Sequence, residues 1–270
     1  MSGIRLEGIG IHYTQIGSGP DVLLLHGWAS SSRLWARTAR RLADAGYRAT
    51  ALDLPGFGRS DQPPFDWYSA ERYTRFIVQL VRQLQLARPA VVGHSLGAAL
   101  ALSVAVEWPV SAVVACAPVV NGRLGLHAHR WFTSRVTRQA IGLAQASPLW
   151  AILSDLRPIT APGLLRNEVW RRNQEDFGRT TLKSAAGSLR AVVQLDLSDR
   201  LPRITAPTLV LVGGRDLTVP SSQGRLAARL IPAARLVCWP RTGHSPIDER
   251  PREFDQLLLQ HLSDHVPPTR

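Results

Sequence analysis

The chain reads as an α/β protein, a doubly wound and mostly parallel sheet carrying an inserted helical lid, and three observations lead there. Short, continuous apolar runs recur along it, each closed by turn residues. Segments of helical period separate those runs. Between residues 119 and 205 the alternation stops, and Arg-rich stretches punctuated by tryptophan take its place. Strands apolar on both faces belong to a parallel sheet covered by helices, and strand alternating with helix is the order that builds such a sheet.

The elements follow in order. "IRLEGIGIHYTQIG" alternates apolar and polar residues about a glycine, the pattern of an antiparallel hairpin. "DVLLLHG", "YRATALDLPG", "PAVVGHS", "AVVACAP", "PTLVLVGG" and "ARLVCWP" are then six strands, and helices are expected near 33–45, 68–86, 96–106, 221–231 and 252–261. The segment 96–106 is apolar almost all round, so it should be buried rather than lie at the surface. Residues 1–118 and 206–270 thus form the core, and 119–205 a helical lid over the carboxyl ends of the strands, where ligands gather in such sheets.

Composition narrows the classes. With 45% hydrophobic and 19% charged residues, 270 residues bury a large core and fit one ordinary domain. The net charge of +12 comes from 31 Arg and one Lys, Lys183, with the excess in 120–205, which has 13 basic and 6 acidic side chains. A nucleic-acid binder would align that charge on one element with aromatics between; the chain shows no such array, so no nucleic-acid partner is expected. Cys116 and Cys238 lie in apolar runs without metal or disulfide spacing and read as buried, reduced thiols. The N-terminus has no apolar targeting region, and the longest apolar stretch is broken by Glu107 and Pro109 before it spans a bilayer. A soluble, cytoplasmic protein is the expectation.

One local pattern carries chemistry. In "AVVGHSLGAALAL" a strand gives way to a helix at Gly93-His94-Ser95-Leu96-Gly97. A turn this sharp forces its central residue into a strained backbone region, and glycines two positions to either side remove clashing side chains. Ser95 then stands at the strand's carboxyl end beside the amino end of a helix, where amides favour an oxyanion. Gly-x-Ser-x-Gly arises by chance roughly 0.1 times in a chain of this composition, so its strand-to-helix setting carries the argument. A serine needs an imidazole to take its proton, and the imidazole needs an acceptor on its other nitrogen. "LVGGRD" places Asp216 directly after one strand, and "WPRTGHSP" places His244 after the next, with Asp199 an alternative acid. Donors for the oxyanion are assigned to the backbone amides of Trp28, in "LLLHGW", and Leu96. The Trp28 side chain reads as pocket wall or as core. Trp131, Phe132 and Trp150 of the lid read as an apolar acyl pocket or as packing within the lid.

The remaining histidines rank lower. His12, His261 and His265 read as surface residues, His94 as a packing residue, and the pair His127 and His129 lacks a third metal ligand nearby. Asp53 reads as a turn former.

"LLLHGW", "ALDLPGFGRSD", "VVGHSLGAALAL", "LVGGRDLTVP" and "TGHSPIDERP", taken in that order and spacing, resemble the α/β-hydrolase superfamily over nearly the whole chain. The resemblance implies the α/β-hydrolase fold, Ser95 as nucleophile, Asp216 as acid and His244 as base, with no cofactor and no metal. Relatives with aspartate at the nucleophile position, the haloalkane dehalogenases and epoxide hydrolases, are disfavoured by Ser95. Carboxylesterases, carbon–carbon bond hydrolases of aromatic degradation, pimeloyl-ester esterases of biotin synthesis and cofactor-free perhydrolases remain. "LHGWASSSRLW" is similar to the opening of the biotin-pathway esterases, which implies an acidic acyl carrier protein as partner at the basic lid. The expected activity is hydrolysis of a small-molecule acyl ester. A non-catalytic sensor that keeps the same three residues is the rival from another class.

Overall fold

A computed structural model describes residues 2–125 and 167–268. A hairpin of β1 (Ser2–Leu6) and β2 (Ile9–Ile16) opens the chain, followed by β3 (Asp21–Leu25), α1 (Ala36–Asp44), β4 (Arg48–Leu52), α2 (Ala70–Gln83), β5 (Ala90–His94), α3 (Leu96–Glu107) and β6 (Val113–Cys116). Beyond residues 126–166 come α4 (Glu168–Arg179), α5 (Leu182–Gln194), β7 (Thr208–Gly213), α6 (Ser221–Leu230), β8 (Ala234–Trp239), α7 (Pro246–Glu249) and α8 (Pro251–His265). Trp131, Phe132, Trp150, His127 and His129 lie outside the described residues.

The eight strands form one sheet in the order β1-β2-β4-β3-β5-β6-β7-β8. The hairpin runs antiparallel to its neighbours and every other pairing is parallel. Because strand side chains alternate, β3 feeds two cores: Leu23 and Leu25 pack with α2, α3 and α6 on one face, while Val22 and Leu24 pack with α1 and α8 on the other. Each such fully buried Leu or Val contributes about 1.5–3 kcal/mol relative to exposure. Residues Leu96 through Val104 of α3 are all buried, as its apolar sequence requires. Val119, Val120, Leu197 and Leu201, all within the stretch 119–205 read from the sequence as the lid, join the same core on either side of residues 126–166.

Several expectations need correction. The first helix begins at Ala36 after a 3-10 turn, Ser32–Trp35, because the Ser31 hydroxyl accepts from the Arg33 amide and Asp53 accepts from that of Ser32. Ser69 caps α2, so that helix starts at Ala70. The last helix runs on to His265, and His261 is buried on its inner face between Leu258 and Leu262, not at the surface. His12 is partly buried and bonds Asp53 through Nδ1 at 3.0 Å. Cys238 is only half-buried, because β8 is the edge of the sheet. No helix among the described residues is long and apolar enough to cross a membrane.

Candidate active site

Ser95 occupies the turn between β5 and α3 with φ 54° and ψ −114°, a conformation that L-residues seldom adopt. The fold holds it there from several sides. The Ser95 amide donates to the Cys116 carbonyl at 2.9 Å, and the Ser95 carbonyl accepts from the amides of Ala98 and Ala99 at 3.0 and 3.1 Å. A Cβ at Gly97 would lie 2.1 Å from the Leu25 carbonyl oxygen, and one at Gly93 would lie 2.1 Å from that of Gly97. Both positions must be glycine for α3 to pack this tightly against β3 and β5.

Asp216 lies in the loop after β7. Its Oδ1 accepts from the Thr218 and Val219 amides, both at 2.8 Å, which leaves Oδ2 for His244, whose Nδ1 lies 2.7 Å away. His244, in the loop after β8, places Nε2 3.1 Å from the Ser95 hydroxyl. A carboxylate that only accepts puts the ring proton on Nδ1, so Nε2 offers a lone pair to the hydroxyl. The Asp216 side chain is 2% exposed and that of His244 26%. The carboxylate is thus withdrawn from water, while the imidazole keeps an open edge. Asp199, the alternative acid, is exposed.

The loop after β3 closes against this line. A Cβ at Gly27 would sit 3.0 Å from the His94 Nδ1 and 3.3 Å from the Ser95 Cβ, so the Gly27–Trp28 peptide runs directly beside the serine. His26 braces the loop: its Nε2 accepts from the Leu54 amide at 3.0 Å, and its Nδ1 then carries the proton donated to the Gly27 carbonyl at 2.7 Å. Burial keeps this ring's pKa below its usual value. On the other side, Leu96 is the first residue of α3, where amides have no intrahelical acceptor. The Trp28 side chain is half-buried. Its Nε1 donates to the Ala185 carbonyl at 3.1 Å, and its ring tilts against Phe177 at 6.0 Å. It therefore docks α4 and α5 onto the strand ends.

Two features escaped the sequence reading. His94 does more than pack: its Nε2 donates to the His244 carbonyl at 2.8 Å, and the two rings lie 4.9 Å apart. Burial, helped by the nearby His244, lowers its pKa to about 4, so it remains a neutral donor. The second feature is the seating of α4. Asp176, fully buried, accepts from the Ser31 hydroxyl at 2.7 Å and from Arg33 at 3.1 Å, and Arg33 also pairs with Glu175 at 2.8 Å. Neither feature has a local sequence signal, because the partners come from distant parts of the chain. Among the described residues no group of three or more His, Cys, Asp or Glu side chains could hold a metal ion.

The arrangement suits nucleophilic catalysis: a hydroxyl, an imidazole and a carboxylate in a hydrogen-bonded line, with amides beside the hydroxyl. The model of the alpha/beta hydrolase family matches residues 22–257. A 2-hydroxy-6-oxo-6-phenylhexa-2,4-dienoate hydrolase of Comamonas testosteroni is 30% identical over 267 residues, spanning 93% of this chain and 91% of that protein. A pimeloyl-[acyl-carrier protein] methyl ester esterase of Chromobacterium violaceum is 30% identical over 256 residues, spanning 92% and 96%. The crystal structure of a hydrolase from Pseudomonas aeruginosa PA01 superposes with a TM-score of 0.79 at 26% identity, covering 97% of each chain.

Proposed function

This chain belongs to the alpha/beta hydrolase family, and we propose that within it the protein is a serine hydrolase that cleaves a carboxylic ester through an acyl-enzyme intermediate. The observation that carries the reading is the line from Asp216 Oδ2 to His244 Nδ1, 2.7 Å, and from His244 Nε2 to Ser95 Oγ, 3.1 Å.

In the first half-reaction His244 takes the Ser95 proton as Oγ bonds to the ester carbonyl carbon. The negative charge that develops on the carbonyl oxygen is received by the amides of Trp28 and Leu96. The imidazolium, steadied by Asp216, returns its proton to the departing alkoxide as the carbon–oxygen bond breaks. In the second half, water gives a proton to His244 and its oxygen to the acyl carbon. As the bond from the acyl carbon to Ser95 Oγ breaks, the imidazolium returns its proton to Oγ, which releases the carboxylic acid and restores the serine and the neutral base.

We read residues 1–118 and 206–270 as the core and 119–205 as a cap over the site. Within that cap, Trp131, Phe132 and Trp150, together with Trp28, are proposed as the acyl pocket. The substrate is a small acyl ester. An acidic acyl carrier protein as partner at the basic lid is supported by the name of the Chromobacterium relative and by the basic excess of 120–205.

A second reading is favoured by the Comamonas relative. The compound in its name contains no ester, so its hydrolysis must break a carbon–carbon bond. Turnover of p-nitrophenyl esters of short, long and aromatic acids, beside a vinylogous diketone, separates the two. Ester turnover that disappears in Ser95→Ala is expected. Turnover of the diketone alone favours the second reading. Absence of turnover on the whole panel, with tight ligand binding, points to a sensor.

A further inference from the structure

His244 sits between β8 and α7 on a loop that belongs to neither strand nor helix. The bonds to Asp216 and Ser95 orient its ring, but the ring stays in reach of Ser95 only if the main chain beneath it is also held. Glu249, five residues on, reaches back over that loop. Its Oε2 accepts from the Gly243 amide at 2.7 Å and its Oε1 from the Ser245 amide at 3.1 Å, the two amides that flank His244. The Glu249 amide donates in turn to the Ser245 carbonyl at 2.9 Å. A Cβ at Gly243 would lie 3.0 Å from the Glu249 Oε1, so the carboxylate rests directly on the main chain. From the opposite side His94 holds the His244 carbonyl. The neighbouring Asp248 serves other groups, the Ser245 hydroxyl and Arg172.

We infer that Glu249 is a positioning residue for the reaction proposed above: its two carboxylate oxygens clamp the amides on either side of His244 and keep the imidazole in line with Ser95. The role rests on the reading of His244 as the base. It asks for two acceptors on one side chain of this length, and a charged acceptor strengthens both bonds. Glutamine offers one acceptor and turns an NH2 group toward the other amide, and aspartate is one methylene short.

The test compares Glu249→Gln and Glu249→Ala with the unaltered protein and with Ser95→Ala. It reads p-nitrophenyl acetate hydrolysis, the NMR signal of the Nδ1 proton that His244 shares with Asp216, and the melting temperature as the control for folding. Displacement of a reacting group by about an ångström costs on the order of 10²-fold. In folded Glu249→Gln we expect kcat to fall about 10- to 100-fold, KM to stay within about twofold, and the Nδ1 proton signal to broaden or vanish. Unchanged kcat with an intact proton signal overturns the inference, and so does a loss carried by KM alone.

Amide hydrogen exchange on the unaltered protein needs no folded variant. Gly243 and Ser245 should be protected, and exchange at the rate of an open loop overturns the clamp. Ser95→Ala keeps the two claims apart. If that variant still hydrolyses the ester, or the unaltered protein does not, the proposed function fails, while the proton signal and the exchange rates still decide on Glu249.

Discussion

Arg172 and Asp248 form a two-pronged ion pair, Nη1 to Oδ1 at 3.1 Å and Nη2 to Oδ2 at 2.8 Å, with side chains only 15% and 13% exposed. Arg172 belongs to α4 and Asp248 to the short helix after His244, so the pair ties the helix over the strand ends to the segment that carries the imidazole. Removing one partner leaves the other charge withdrawn from water without compensation. Arg172→Ala is expected to cost roughly 2 kcal/mol in urea unfolding. Arg172→Lys should recover only part of this, because an ammonium cannot reproduce the planar fork. A loss below about 0.5 kcal/mol would mean that the pair behaves like an ordinary surface bridge.

Acid should weaken the fold through two buried histidines. Burial, reinforced by a second histidine beside each, holds His94 and His261 to pKa values of about 4 against an ordinary 6.5. The unfolded chain therefore takes up these protons as pH drops below 6.5, whereas the folded chain resists until about 4. Their contribution is complete above pH 6.5 and is lost progressively between 6.5 and 4. It is on the order of 3 kcal/mol for the buried His94. The urea midpoint should be lower at pH 5 than at pH 7.5, and His261→Leu should narrow the gap. Equal midpoints at the two pH values contradict the assignment.

One of the two close approaches beside the serine is also testable. A methyl group at residue 97 would press on the Leu25 carbonyl oxygen, and neither α3 nor β3 has room to retreat. Gly97→Ala is expected to destabilise by roughly 3 kcal/mol and to depress ester turnover as well. A variant of normal stability and rate would show that α3 shifts freely.

Much of this site was legible in the sequence because its signals are local. Ser95 sits between two glycines spaced for a sharp turn, and Asp216 and His244 each follow an apolar strand and a glycine. The alternation of runs gave away the parallel sheet for the same reason. What escaped depends on pairings across the chain. His94 reads as packing until the His244 carbonyl, 150 residues away, is brought to its Nε2. His261 looks like a surface histidine because its polar character hides its place on the buried face with Leu258 and Leu262. Cys238 looks buried because an apolar run does not say whether its strand lies at the centre or at the edge of a sheet. Asp176 gives no hint that Ser31 and Arg33 will bury it.

The most direct test is a rapid acid quench of the protein during turnover of a p-nitrophenyl ester, followed by mass spectrometry of its peptides. The account predicts one acyl group on the peptide that contains Ser95 and none in Ser95→Ala, whose turnover should fall by a factor on the order of 10⁴ to 10⁶. An acyl group on another residue, or undiminished hydrolysis by Ser95→Ala, would contradict it.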